Sequence, residues 1–140
     1  MIGISRQTDY ACRILLHLAM HEPGGRLTAR AIAEQQLIPQ SMVRRIVAQL
    51  SIAGLLKTSR GNAGGMVLAR PAAEISLLDV LQAMEGAVSL NACVEDPASC
   101  PLMPVCSVHE TWCKAHQGLI AELQQATFDK LAARGKVLAQ

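Results

Sequence analysis

Three cysteines and three prolines, interleaved within fourteen residues, restrict this chain more than any other stretch: Cys93-Val-Glu-Asp-Pro-Ala-Ser-Cys100-Pro-Leu-Met-Pro-Val-Cys106. On a continuous helix, steps of seven and six residues would separate successive thiols by about 10 Å, too far to share a small inorganic centre. Proline removes a backbone donor and fixes φ, so Pro97, Pro101 and Pro104 impose a loop, and a loop can fold three thiolates onto one point. Soft thiolates in convergent geometry select zinc, copper(I) or an iron–sulfur cluster. Three unconnected free thiols in a surface loop is the plainer alternative.

The rest of the chain supports one domain with an appendage. Its 140 residues are 51% hydrophobic yet include only Tyr10, Trp112 and Phe128 as aromatics. A core built from Leu, Ile, Val, Ala and Met favours helices. No apolar run approaches the roughly 20 residues of a membrane span, and the polar start lacks the pattern of a signal peptide. With an odd cysteine count, this predicts a reducing, cytoplasmic setting and no membrane partner. Residues 1–70 carry nine Lys/Arg against three acids, a net +6, whereas residues 71–140 carry four against eight, a net −4. The basic half suits a polyanion.

In chain order, Thr8-Asp9 reads as the cap and acidic first turn of a helix bearing Ala11, Ile14, Leu15 and Leu18. Thr28 caps a second helix over Ala29–Gln35. Ile38-Pro39 opens a third, with Met42, Val43, Ile46, Val47 and Leu50 inward and Gly54 past its end. Two short helices joined by a tight turn form a helix-turn-helix, which places Gln40, Ser41, Arg44 and Arg45 where base edges and phosphates lie in a major groove. Leu55–Ser59, the turn Arg60-Gly61-Asn62-Ala63-Gly64-Gly65 and Met66–Leu68 read as a hairpin wing, with Arg60 at a tip suited to a minor groove. Ser76-Leu77-Leu78-Asp79 reads as a capping box for a helix over Leu77–Glu85 that stops at Gly86.

From about Val105 to Arg134 the pattern is helical, roughly 45 Å if unbroken, with Trp112, Leu119, Ile120, Leu123, Ala126 and Leu131 to one side. No partner for such a helix is evident within the chain, which predicts a homodimer pairing long helices on a palindromic double-stranded DNA operator. The expected fold is mainly α with a small β-hairpin wing. It comprises a winged helix-turn-helix over 1–86, a cysteine-rich loop over 87–110, and a dimerisation helix and tail over 111–140.

Thr8-Asp9-Tyr10-Ala11, the hairpin with Leu68-Ala69-Arg70-Pro71, Ile75–Val80 and the three-cysteine loop together resemble the IscR, NsrR and RirA regulators, the so-called Rrf-two family. The resemblance runs from about Ile4 to Phe128. It implies a homodimeric DNA-binding regulator, most often a repressor, whose affinity responds to an iron–sulfur cluster reporting iron, nitric oxide or redox state. By position it makes Cys93, Cys100 and Cys106 the cluster ligands. The fourth is either Asp9, reaching over from the other subunit, or His109, three residues beyond the last loop cysteine. The loop spacing is nearer to NsrR and RirA, which favours Asp9 and a [4Fe-4S] over a [2Fe-2S] cluster. Arg6 and Gly61 join the expected DNA-binding set of Gln40, Ser41, Arg44, Arg45 and Arg60.

Two other readings remain. A thiol–disulfide switch, or zinc held by three cysteines and His109, would keep the DNA binding. A cysteine nucleophile with His109 or His116 as base would make an enzyme, but no cofactor fingerprint or hydrolase motif accompanies it, and neither catalysis nor a small-molecule substrate is expected. Cys12 reads as a core residue and Cys113 as a buried spectator thiol.

Overall fold

A computed structural model describes residues 3–61 and 64–140. It contains α1 (Arg6–His21), α2 (Ala29–Gln36), α3 (Gln40–Ile52), β1 (Leu56–Ser59), β2 (Gly65–Leu68), α4 (Leu77–Glu85), α5 (Ala92–Glu95), α6 (Ser107–Gln125) and α7 (Phe128–Leu138). Short 3-10 turns fill Ala72–Glu74, Pro97–Ser99 and Met103–Val105.

Helix α1 is the hub, packing against α2, α3, α4, α7 and β2. Its Ala11, Ile14 and Leu15 are fully buried, as an i, i+3, i+4 stripe requires. Around them gather Ile32 of α2, Val43, Ile46 and Leu50 of α3, Leu55, Leu56, Ile75, Val80 of α4 and Phe128 of α7. Each such aliphatic side chain contributes roughly 1.5–3 kcal/mol by leaving water.

The helix starts refine the sequence reading. Ser5, not Thr8, caps α1: its Oγ accepts from the Thr8 amide at 3.2 Å. Thr8 lies one turn in and is fully buried. Thr28 caps α2 as expected, accepting from the Ala31 amide. The Ser76–Asp79 capping box is complete, with both reciprocal bonds present. Leu37 closes α2 in the left-handed region (φ 54°), and Ile38 donates back to the Ala33 carbonyl. This tight reversal makes α2 and α3 a helix-turn-helix.

The hairpin pairs antiparallel in the register Leu56↔Leu68 to Ser59↔Gly65. Leu27 adds a bridge to Met66, with N–H to O distances of 3.2 and 2.8 Å, so a third short segment straps the wing to the residue before Thr28. Glycine is obligatory at Gly65: φ is +138°, and a Cβ there would stand 2.7 Å from the Leu27 carbonyl oxygen. Asn62 and Ala63 of the expected turn fall outside the described residues.

The single long helix expected over 105–134 is two helices. The chain breaks at Ala126-Thr127 because those residues pair with the segment before α4: Leu77 donates to the Ala126 carbonyl at 3.0 Å and Phe128 to that of Ile75 at 2.9 Å. Helix α7 then turns back onto α1, burying Phe128 and Ala132. Leu131 therefore belongs to the core side of the molecule, apart from the α6 stripe. Helix α6 has no fully buried residue along its nineteen positions.

Candidate nucleic-acid interface and cysteine loop

Gln40, Ser41, Arg44 and Arg45 are all exposed on the first two turns of α3, while Val43, Ile46 and Val47 anchor the opposite face. The pitch of α3 is set by α2, and α2 is fastened to α1 at its C-terminal end. The Arg13 guanidinium, lying over the Tyr10 ring, donates to the Gln36 carbonyl, where the negative end of the helix favours a cation. His17 meets the Gln35 carboxamide oxygen through Nε2 at 2.6 Å and the Gln36 amide nitrogen through Nδ1 at 3.1 Å. Burial lowers the His17 pKa, against the opposing pull of the Gln35 bond, and so favours the neutral imidazole that the Nδ1 contact requires.

The wing carries Arg60 and Gly61 just beyond β1, both exposed, with Gly61 at φ +98°. Between the wing, the start of α2 and α3 lies a cleft of about 360 Å³ whose polar lining is Thr28, Arg44, Thr58 and Ser59, with Val47 and Met66 among its apolar lining. Arg44 and Gly61 thus share one surface. Thr28 is legible in the sequence as a cap, but Thr58 and Ser59 carry no sequence signal beyond strand propensity. Arg6 opens α1, its guanidinium 6.0 Å from the Tyr10 ring centre, and it lines a separate hollow with Ile4 and Asp9.

The cysteine loop is built from local turns. Cys93 lies on α5, and Cys100 and Cys106 each close a 3-10 turn, Cys106 also leading into α6. The Asp96 carboxylate accepts from the Ala98 amide, and Ser99 donates to the Asp96 carbonyl. Helix α5 packs on the Pro97–Ser99 turn and on α6. Cys93 and Cys100 are half-buried, Cys106 is exposed, and all three are free thiols. Among the described residues, no three His, Cys, Asp or Glu side chains converge as a metal-holding set.

The donor types nevertheless suit a soft metal or cluster: three thiols on one short loop, with a histidine three residues past Cys106. His109 Nδ1 is buried with no hydrogen-bond partner among the described residues, while its Nε2 lies 3.4 Å from the Cys113 sulfur. Asp9 is exposed on α1, 4.0 Å from the Arg13 guanidinium. Cys12 is a different kind of cysteine: burial, reinforced by the Asp9 charge, pushes its pKa up to about 11. No helix among the described residues is long and apolar enough to cross a membrane.

This architecture has relatives. A protein of Rhizobium meliloti, aau3, is 34% identical over 130 residues, covering 91% of this chain and 83% of its own. The transcriptional regulator NsrR of Oceanobacillus iheyensis is 28% identical over 131 residues, covering 93% and 89%. The structure of CymR, described as the global cysteine regulator of B. subtilis, superposes with a TM-score of 0.81 at 27% identity, covering 96% of this chain and 98% of that one. These relatives include transcriptional regulators. The model of the Rrf2 family, described as iron-dependent transcriptional regulators, matches residues 4–134, and the chain belongs to that family of winged-helix regulators.

Proposed function

We propose that this Rrf2 regulator is a cytoplasmic homodimer that binds a palindromic operator as a repressor, its affinity set by an iron–sulfur cluster on Cys93, Cys100 and Cys106. The observation that carries the reading is connectivity: the cysteine loop joins α4, at the edge of the reading head, directly to α6, a nineteen-residue helix with no buried residue. Residues 1–86 read DNA, 87–110 sense, and α6 pairs with a second copy. Trp112 and Val108 on α6, with Val105 just before it, are exposed apolar side chains suited to that pairing.

When bound, a cluster supplies a cross-link among the three thiolates that iron loss, oxidation or nitric oxide can undo. This chain's own residues do the rest. With a cluster bound, the thiols of Cys93 and Cys106 would tie α5 to the first turn of α6, and Glu85 ties the end of α4 to the start of α1. A change in the loop therefore reaches the helix on which α2 and α3 are mounted. The fourth ligand is Asp9 of a second copy or His109, whose spare Nδ1 supports the second choice. The loop spacing favours [4Fe-4S] over [2Fe-2S]. Operator binding before and after chelation of iron, followed by fluorescence anisotropy on duplexes selected from a random pool, tests the coupling. Equal affinities would refute control by the loop.

A second reading is favoured by the likeness to a cysteine regulator and by the thiol–imidazole contact of Cys113 and His109. The loop would then work as a thiol–disulfide switch or zinc site, with the DNA-binding half unchanged. Zinc-loaded or oxidised protein is colourless, so absorption separates the two.

A further inference from the structure

A second hollow, of about 350 Å³, lies where the reading head meets α6, at the lower end of the size range of small-molecule sites. Four stretches wall it: Ile4 ahead of α1, Leu81 and Glu85 of α4, Val88 in the linker that follows, and Leu119 and Leu123 of α6. Leu81 is buried, and Val88, Leu119 and Leu123 are half-buried. Aliphatic walls of this kind select a hydrocarbon body.

Two polar side chains on the walls set the charge of the ligand. Ser89 spends its hydroxyl hydrogen on the Asn91 carbonyl at 2.9 Å, so its oxygen is left only to accept. The Glu85 carboxylate takes the Ser5 amide and the Thr8 hydroxyl on Oε1, while Oε2 makes no hydrogen bond or ion pair among the described residues. The bonds to Oε1 hold this carboxyl below its usual range, so it is ionised at neutral pH. No Lys, Arg or His lines the hollow. Two acceptors, one of them anionic, beside aliphatic walls call for a donor cation joined to hydrocarbon and repel a carboxylate or phosphate.

The position gives such a site a use. Glu85 clasps the end of α4 to the start of α1, the linker runs on into the cysteine loop, and Leu119 and Leu123 belong to α6. A ligand seated here touches the reading head, the approach to the loop and the long helix at once. We propose that this hollow is an effector site for a small primary amine with an aliphatic body, its ammonium on Glu85 Oε2 and its hydrocarbon against Leu81, Val88, Leu119 and Leu123. The site stands without the cluster, and its effect on operator affinity rests on the DNA-binding reading above.

The test is an NMR titration of the full chain with n-butylamine, n-pentylamine and n-hexylamine, all cations at pH 7, against 1-hexanol and hexanoate. Saturable shifts should centre on the amides of Val88, Ser89, Leu119 and Leu123. Affinity should rise roughly fourfold with each methylene. Hexylamine should bind roughly three- to tenfold more tightly than hexanol, by a margin that shrinks with salt, and hexanoate should not bind. Glu85→Gln keeps an acceptor oxygen for Ser5 and Thr8, so hexylamine should fall to the level of hexanol while hexanol binding is retained. Leu123→Phe, which fills space on the α6 wall, should weaken both ligands alike. Hexylamine should change the operator affinity of the parent and leave that of Glu85→Gln unaltered.

Equal affinity for hexylamine, hexanol and hexanoate, or an amine preference that survives Glu85→Gln, would overturn the ammonium site. Hexylamine binding only after Trp112→Ala has separated two copies would assign the hollow to the second copy and overturn it as well. Binding at the site with no change in operator affinity would overturn the effector role. A parent that binds no duplex would defeat the DNA-binding reading, whereas the ligand titrations, read without DNA, still decide the site.

Discussion

Thr8 donates its hydroxyl to the Glu85 carboxylate at 2.5 Å, and the same oxygen accepts the Ser5 amide at 3.0 Å. These bonds fasten the first turn of α1 to the last turn of α4, immediately before the chain departs for the cysteine loop. The Thr8 bond, then those from Ser5, hold the Glu85 carboxyl below its usual range. A carboxyl with a depressed folded pKa stabilises the fold above its unfolded pKa, and that contribution is lost as pH falls through the folded value. Thr8→Val, which keeps the shape and removes the hydroxyl, should cost about 1–2 kcal/mol at neutral pH. Urea melts between pH 7 and pH 3 should show a flatter acid dependence in Glu85→Gln than in the parent.

Gly65→Ala would force a Cβ to within 2.7 Å of the Leu27 carbonyl at a backbone angle that L residues avoid. The strap between wing and helix-turn-helix should part while α1, α3, α4 and α7 keep their packing. DNA affinity should fall at least tenfold with a drop in Tm of only a few degrees, about 1 kcal/mol for a domain of this size. Parallel anisotropy and thermal melts check the split.

Phe128→Ala should cost about 3–5 kcal/mol, because Phe128 is 1% exposed and closes the core from α7. Trp112→Ala on α6 should leave the monomer's stability nearly unchanged while weakening self-association. Sedimentation equilibrium alongside urea melts would distinguish the two helices by function.

That contrast marks where the sequence ceased to be informative. The 3.6-residue pattern continues across Gln125–Phe128, so periodicity alone carries one helix through. The break comes from Ala126 and Phe128 bonding to Leu77 and Ile75, about fifty residues away and invisible to a local window. Thr8 misled for a related reason: a hydroxyl residue near a helix start reads as a cap, but its partner is Glu85 and the cap is Ser5. Features decided within a few residues were legible, including the Thr28 cap, the Ser76–Asp79 box and the glycine-rich wing. The exposed placing of Gln40, Ser41, Arg44 and Arg45 on α3 followed from its amphipathic pattern. Thr58 and Ser59 did not, since only the fold brings the wing beside Thr28.

The thiols should differ sharply in reactivity. At pH 8 a cysteine with a pKa near 11 is roughly one-thousandth thiolate, so Cys12 should resist iodoacetamide while exposed Cys106 reacts first. Mass spectrometry of timed, anaerobic alkylation reads the order. Prior cluster assembly should protect Cys93, Cys100 and Cys106 together and leave Cys113 unaffected.

Absorption with iron and acid-labile sulfide analysis, on protein purified without oxygen, decides whether the loop holds an iron–sulfur cluster. The expected result is brown protein with iron and sulfide near four of each per chain, lost in each of Cys93→Ala, Cys100→Ala and Cys106→Ala, as a [4Fe-4S] centre on three thiolates requires. Colourless protein that stays iron-free after reconstitution, or an unaltered spectrum in all three variants, would contradict it.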